Sequence, residues 1–199
     1  MRTKIMFNQN IIYQLFGFFL LTTGLCYAGE NFIEKESPSM MKAQNSQEII
    51  SKALEVISEL NLDPNALGET KVNVLSFHNK RIEEFKKKWE EEEDVNTLLR
   101  IGSIYCDNAF QTNQNPSISL FESAQWYLKA LKAGSLKSIF SLSLAIENIA
   151  DENKQLTEKM GGEEKVRVAV VKLFKLAAEG GNEEAQLAYE DRVERLSKL

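Results

Sequence analysis

Cysteine, proline and histidine are scarce in this sequence. Its 199 residues include two cysteines, three prolines and one histidine. The low cysteine count excludes a disulfide-rich scaffold, and the histidine and cysteine spacing does not match a zinc site. Few prolines and little β-branched alternation favour helices. With 43% hydrophobic and 27% charged residues, the composition is that of an ordinary globular domain.

An excess of positive charge is also missing. The formal net charge is -5, so the composition does not favour nucleic acid or an anionic membrane surface as a partner. Gly161-Gly162 does not read as a phosphate loop, because no Lys-Ser/Thr follows and no strand is predicted before it. We therefore expect no nucleic acid, cofactor or metal among the ligands of this protein.

The N-terminus has the pattern of a secretory signal peptide. Two basic residues precede an apolar stretch over residues 11–26, and the small pair Ala28-Gly29 follows. The stretch is short and interrupted for a membrane span. We predict a signal peptide over 1–28, cleaved between Ala28 and Gly29, and an exported bacterial protein, periplasmic or secreted, without stable membrane insertion. An uncleaved anchor is the alternative.

Few candidate catalytic residues remain once the signal peptide is cleaved. Cys106 becomes the last thiol, which rules out an internal disulfide, and we expect it to be a buried apolar residue. An intermolecular disulfide is the alternative. Leu25 precedes Cys26, whereas a bacterial lipoprotein signal has a small residue at that position, so we do not expect lipidation of Cys26. His78 could act as a base for Cys106, but the spacing does not support their meeting, so a surface histidine is expected.

Helical periodicity covers most of the chain beyond a polar leader at 29–44. We expect one helical domain over 45–199. Its seven predicted helices run from Asn45 to the Asp63-Pro64 break and over 69–93, 95–110, 117–133, 135–150, 163–179 and 182–198, with loops at 111–116 and 151–162.

One charge run could be taken for a functional site. Five acids, Glu90 to Asp94, follow a lysine run, and a divalent cation is a conceivable ligand. Consecutive helical residues point in different directions, so a solvated helix end is the better interpretation. The pairs Glu83–Lys87 and Glu84–Lys88 have the spacing of i,i+4 ion pairs.

A short pattern occurs twice, 47 residues apart. "ESAQWYLKALKAGSLKS" and "VAVVKLFKLAAEGGNEEAQ" each place a bulky pair before two small or apolar residues, a glycine, and a small residue four positions later. The glycines have the positions of left-handed helix caps. The matching architectural residues are Trp126, Tyr127, Ala130 and Gly134 in one copy and Phe174, Ala177, Gly181 and Ala185 in the other.

This order resembles the unit of the Sel-one-like repeat family, relatives of the tetratricopeptide repeats. In "LLRIGSIYCDNA", Ile101-Gly102 take the Leu-Gly place of that unit and Tyr105 its tyrosine place. Phe85 then takes the tryptophan position, and Trp89 stands where alanine is expected. The resemblance gives repeats at about 78–110, 117–150 and 163–198.

The match to that family is degenerate. Ser143 replaces a glycine in the second copy, Tyr189-Glu190 replace Leu-Gly in the third, and the loop 151–162 stretches the spacing. The resemblance implies an all-α fold of stacked antiparallel helix pairs, a short α-solenoid of about three repeats whose first helix caps the N-terminal end.

Such arrays bind proteins or peptides on the surface of the first helices of each pair. The sequence and the resemblance together predict a non-catalytic scaffold or adaptor in the cell envelope or outside the cell. Gln125, Lys129 and Lys172 are candidate contact residues. The alternatives are a cell-envelope enzyme or its regulator, and a helical protein that self-associates.

Overall fold

The structure, a computed structural model, describes residues 43–62, 79–111 and 116–196. All of them belong to one compact unit, Ser37–Leu199. The predicted signal peptide with its Ala28-Gly29 cleavage site, most of the leader, and His78 lie outside the described residues.

Every secondary-structure element in the described residues is a helix, which confirms the predicted all-α class. In chain order they are α1 (Ala43–Ser58), α2 (Asn79–Glu92), α3 (Val95–Gln111), α4 (Pro116–Lys132), α5 (Lys137–Glu152), α6 (Lys154–Lys159), α7 (Glu163–Glu179) and α8 (Glu183–Leu196). Across these helices, none is both long and apolar enough to cross a bilayer.

Several helix bounds differ from the prediction by a few residues, and the predicted loop 151–162 was wrong. Helix α1 begins at Ala43, before the predicted start at Asn45. The predicted loop 151–162 contains α6, which begins where the Asn153 side chain accepts a hydrogen bond from the Leu156 amide at 3.0 Å. Periodicity missed this helix because its six residues make fewer than two turns.

Successive helices pack on one another. Helix α3 packs between α2 and α4, α4 packs on α5, α5 packs on α7, and α7 packs on α8. Short α6 contacts α5 and α7. The connections α2–α3, α4–α5 and α7–α8 are short enough that the joined helices run antiparallel. In chain order, α2, α4 and α7 are the helices that precede these three connections.

The turns after α4 and α7 have the same geometry. Gly134 has φ +97° and Gly181 has φ +88°, the left-handed conformation predicted for both. In the first turn the Ser135 amide donates to the Ala130 carbonyl at 3.0 Å, and 47 residues later the Asn182 amide donates to the Ala177 carbonyl at 3.1 Å. Both are the hydrogen bonds of a Schellman cap.

Helices α3 and α4 pack closely because Gly102 has no side chain. A Cβ added to Gly102 would lie 2.6 Å from Cε1 of Tyr127. The Ser123 hydroxyl donates to the Gly102 carbonyl at 2.8 Å in the same contact. The tyrosine ring therefore fills the gap between these helices because residue 102 is glycine.

Helix α1 does not have the predicted position at the N-terminal end. It packs against α7 and α4. Its apolar face is buried, with Ile50 6%, Ala53 0% and Ile57 5% exposed. The sequence correctly indicated which face is buried but not which helices cover it.

The acidic run lies at the end of α2, as predicted, but the ion pairs on this helix differ from the predicted pairs. Lys86 pairs with Glu83 at 2.8 Å, and Lys88 pairs with Glu92 at 3.5 Å. The predicted pairs were Glu83–Lys87 and Glu84–Lys88. Asp94 accepts the Asn96 amide at 3.1 Å and so caps the start of α3.

Candidate protein-binding surface

Two tryptophans and a lysine meet on the surface of α2 and α4. The Lys129 ammonium lies 5.4 Å from the ring centroid of Trp89 and 4.9 Å from that of Trp126. Lys86 lies 6.0 Å from the Trp126 ring. We call Trp89, Trp126, Lys129 and the neighbouring Lys132 the tryptophan–lysine surface.

A buried cluster supports the Trp126 ring from below. Ile82, Ile101 and Ile104 form it, and the partly buried Phe85, Tyr105 and Trp126 pack against it. The Trp126 ring thus has one part in the core and another at the surface. An aromatic side chain held in this way loses little conformational entropy when a partner contacts it.

Helix α4 continues this surface as a stripe. Residues at helical spacing along one side of α4 line an open groove of about 370 Å³: Glu122, Gln125, Trp126, Leu128, Lys129 and Lys132. Ala130 and Leu131, on the opposite side, are fully buried. The stripe is therefore the outer face of a helix that is firmly held by its inner face.

The charge of the surface is predominantly positive. Burial works against the Lys86 ammonium, but its hydrogen bond to Glu83 and the charges of Tyr105 and Glu122 outweigh that effect and raise its pKa above 10.5. Burial also raises the pKa of Tyr105 above 10.0. Lys129 and Lys132 are both exposed, with Glu122 as the acidic side chain in the same groove.

The structure brings together only some of the predicted contact residues. Lys129 belongs to the tryptophan–lysine surface. Gln125 was predicted to be exposed, but it is half-buried, and its Nε2 donates to the Leu62 carbonyl beyond α1 at 2.7 Å. Lys172 is exposed on α7 and belongs to another part of the fold.

Trp89 is a surface residue that the sequence did not assign. The repeat alignment placed it at an alanine position, so it read as a mismatch. The signal that the sequence did offer is the rarity of tryptophan: the chain has two, and both lie on this surface. Their meeting depends on the α2–α4 juxtaposition, which the spacing of the sequence does not specify.

The predicted architectural residues lie at helix contacts and turns. Tyr127, Ala130, Phe174, Ala177 and Ala185 are buried, while Tyr105 and Trp126 are partly buried. The Phe174 ring packs 5.9 Å from the Phe140 ring and under the Arg192 guanidinium.

The described side chains of the tryptophan–lysine surface are aromatic rings and ammonium groups. Cys106 is buried, as predicted, in α3. Within the described ranges, no group of three histidine, cysteine, aspartate or glutamate side chains could hold a metal ion. The chemistry that the surface does offer is contact by aromatic faces and ammonium groups.

Comparisons were made with protein-family models, curated proteins and solved structures. None of the three finds a match to this chain.

Proposed function

We propose that this protein is a non-catalytic binding module that holds a protein or peptide partner on the tryptophan–lysine surface. The observation that carries the proposal is the Lys129 ammonium between two tryptophan rings on the outer face of α2 and α4. Tryptophan is enriched at the energetic centres of protein interfaces, because a large rigid ring buries much area at little entropic cost.

The surface favours an acidic partner segment. Lys129 and Lys132 provide positive charge, against Glu122 in the same stripe, while Lys86 beside them is paired with Glu83. Glutamate or aspartate side chains would pair with the ammonium groups, and an apolar side chain beside them would contact the indole edges. We therefore assign the partner as a peptide segment that carries carboxylates and an apolar residue.

The resemblance to Sel-one-like repeats supports a scaffold or adaptor role. The equal turn geometry 47 residues apart and the stacked order of the helices favour a repeat interpretation. The basic and apolar pattern of residues 1–28 favours export. On this proposal the protein works in the bacterial cell envelope or outside the cell.

The two tryptophans make the proposal directly testable. Because both lie on the surface, the tryptophan fluorescence of the chain reports on that surface alone. A short peptide of alternating glutamate and leucine should shift the emission in a saturable way, and its lysine-for-glutamate twin should not. The double variant Lys129→Glu, Lys132→Glu should abolish the shift, because its carboxylates repel those of the peptide.

A control that reverses one lysine charge away from the surface is Lys154→Glu, at the exposed start of α6. It should bind the acidic peptide as the parent does. Equal shifts from both peptides, or an unaltered shift in the double variant, would contradict the proposal.

A further inference from the structure

The outer side of α8 carries an exposed leucine among carboxylates. Leu187 is 68% exposed, the highest exposure among the large apolar side chains of the described ranges. Other residues at helical spacing along the same side of α8 are exposed as well: Glu183, Gln186, Glu190, Val193 and Glu194. We call these residues, together with Leu187, the glutamate–leucine face. An exposed leucine on a helix that is otherwise well packed is a candidate contact residue.

The arginines of α8 lie outside this face and are engaged within the chain. The Arg192 guanidinium pairs with Glu147 of α5 at 2.9 Å and with Asp191 at 2.9 Å. Arg195 pairs with the same Asp191 at 3.0 Å. The glutamate–leucine face itself contains three glutamates, two apolar residues and no basic residue. Its charge is therefore negative.

The tryptophan–lysine surface has the complementary chemistry. Lys129 and Lys132 are exposed and lie one helical turn apart on α4, and the Lys129 ammonium lies beside both indole rings. On α8, a glutamate precedes and another follows Leu187 at a distance of about one turn, roughly 5 Å along the helix axis. Carboxylates at that spacing can face the ammonium groups while the leucine contacts an indole edge.

The two surfaces do not satisfy each other within one chain. Leu187 and Lys129 belong to the same compact unit, and both are exposed in it. Helix α8 packs on α7 and is joined to α5 by the Arg192–Glu147 pair, whereas the tryptophan–lysine surface lies on α2 and α4. A contact between the two surfaces therefore requires two chains, and each chain has one surface of each kind to offer.

We propose that the glutamate–leucine face of one chain docks on the tryptophan–lysine surface of a second copy, so that the protein assembles head to tail. This inference rests on the proposed function, since it identifies the acidic segment with apolar residues as α8 of another copy. Because the two contacting surfaces differ, the contact is heterologous. Repeated contacts of this kind form a ring if the rotation between chains closes, and a filament if it does not.

Sedimentation velocity of the protein expressed from its full sequence is the measurement. One variant, Lys129→Glu with Lys132→Glu, alters the tryptophan–lysine surface and leaves α8 intact. The other, Leu187→Gln with Glu190→Gln, removes an apolar contact and a charge from the glutamate–leucine face. All four positions are exposed, and both replacement residues favour helices, so the fold is retained.

A control variant removes two carboxylates elsewhere. Glu55 and Glu59 are exposed at the end of α1, away from both surfaces, and Glu55→Gln with Glu59→Gln should assemble as the parent does. The far-ultraviolet circular dichroism of every chain should match that of the parent.

We expect the average mass of the parent to rise with concentration between about 10 μM and about 1 mM, the range of weak to moderate protein affinities. Each of the two surface variants alone should remain a monomer. An equimolar mixture of the two should form a dimer and nothing larger, because one variant contributes an intact α8 face and the other an intact tryptophan–lysine surface. The glutamate–leucine peptide should compete with α8 and dissociate the parent assemblies.

Three results would overturn the inference. The first is a parent chain that stays monomeric up to about 1 mM. The second is assembly of the Leu187→Gln, Glu190→Gln variant as strong as that of the parent, which would place the contact away from α8. The third is a mixture of the two variants that stays monomeric. A monomeric parent that still binds the peptide would refute the self-assembly and leave the proposed function standing, whereas loss of peptide binding would contradict the proposed function itself.

Discussion

At the residue scale, Gly102 shows how one hydrogen atom in place of a methyl group sets the approach of two helices. A Cβ on residue 102 would lie 2.6 Å from Cε1 of Tyr127, which is closer than two non-bonded carbon atoms approach in proteins. Gly102→Ala must push the ring or the helix aside, and we expect a loss of about 1–3 kcal/mol of unfolding free energy. Urea unfolding monitored by circular dichroism measures it.

A double-mutant cycle provides the control for that prediction. In a Tyr127→Ala background the ring is gone, so the added methyl group should cost much less than in the parent. An equal cost in both backgrounds would mean that the ring is not the obstacle.

Gly134 has a different constraint, because no atom lies within 4 Å of the Cβ that it lacks. Its φ of +97° alone disfavours other residues. We expect Gly134→Val to lose about 1 kcal/mol or more and Gly134→Asn to lose less, since asparagine tolerates the left-handed region. Melting temperatures rank the variants, and equal values for valine and glycine would refute the cap.

Tyr105 gives a pH-dependent prediction. Its pKa is raised above 10.0 in the folded protein, mainly by burial, so the unfolded chain releases this proton first as pH rises. Tyr105 therefore stabilises the fold below pH 10 and loses that contribution as the pH rises through its folded pKa. The Tyr105→Phe variant should lose less stability than the parent between pH 9 and pH 11 (roughly the range around an ordinary tyrosine pKa), as measured by urea unfolding at each pH.

At the element scale, α8 is held by an ion pair that reaches back to α5. The Arg192 guanidinium donates two hydrogen bonds to Glu147, at 3.0 and 2.9 Å, and lies 5.3 Å from the Phe174 ring. Both side chains are about one-quarter exposed, so the pair is partly shielded from water. A bidentate pair of this kind is stronger than a typical surface pair.

We expect Arg192→Ala to lose about 1–3 kcal/mol and to raise hydrogen exchange in α8 before that of α3–α5. Arg195→Ala is the control, because Arg195 pairs with Asp191 on its own helix and is largely exposed. A loss in the control as large as that in Arg192→Ala would contradict the interhelical role.

The elements were predictable to the extent that local patterns determine them. The bounds of α7 follow from its glycine cap and its acidic first turn. The six-residue α6 was missed because its length gives no period. The ion pairs of α2 could not be assigned, because each lysine has acidic residues at both three and four positions along the helix.

At the scale of the whole molecule, the unpredicted features all depend on which helices meet. Periodicity identified the buried face of α1, yet α7 and α4 cover it. The tryptophan–lysine surface joins Trp89 of α2 to Lys129 of α4, and the sequence does not indicate that these two positions meet. The repeat pattern described the interior contacts, whose residues are small or aromatic for packing reasons, and contained no information on the ligand.

The described helices thus form a buried core, an outer α2–α4 surface that we propose for an acidic segment, and a face of α4 and α7 covered by α1. The acidic partner should bind more weakly as ionic strength rises, because exposed charges are screened over about 10 Å at 0.1 M salt. Titrations at low and high salt check this, and a salt-independent affinity would favour apolar contact alone.

The titration of the parent chain with the glutamate–leucine peptide, followed by tryptophan fluorescence, tests the central claim most directly. Our account predicts a saturable shift that is lost in Lys129→Glu, Lys132→Glu and retained in Lys154→Glu. A shift that survives the charge reversal, or one that the lysine-containing twin produces equally well, would contradict the assignment of this surface to an acidic partner.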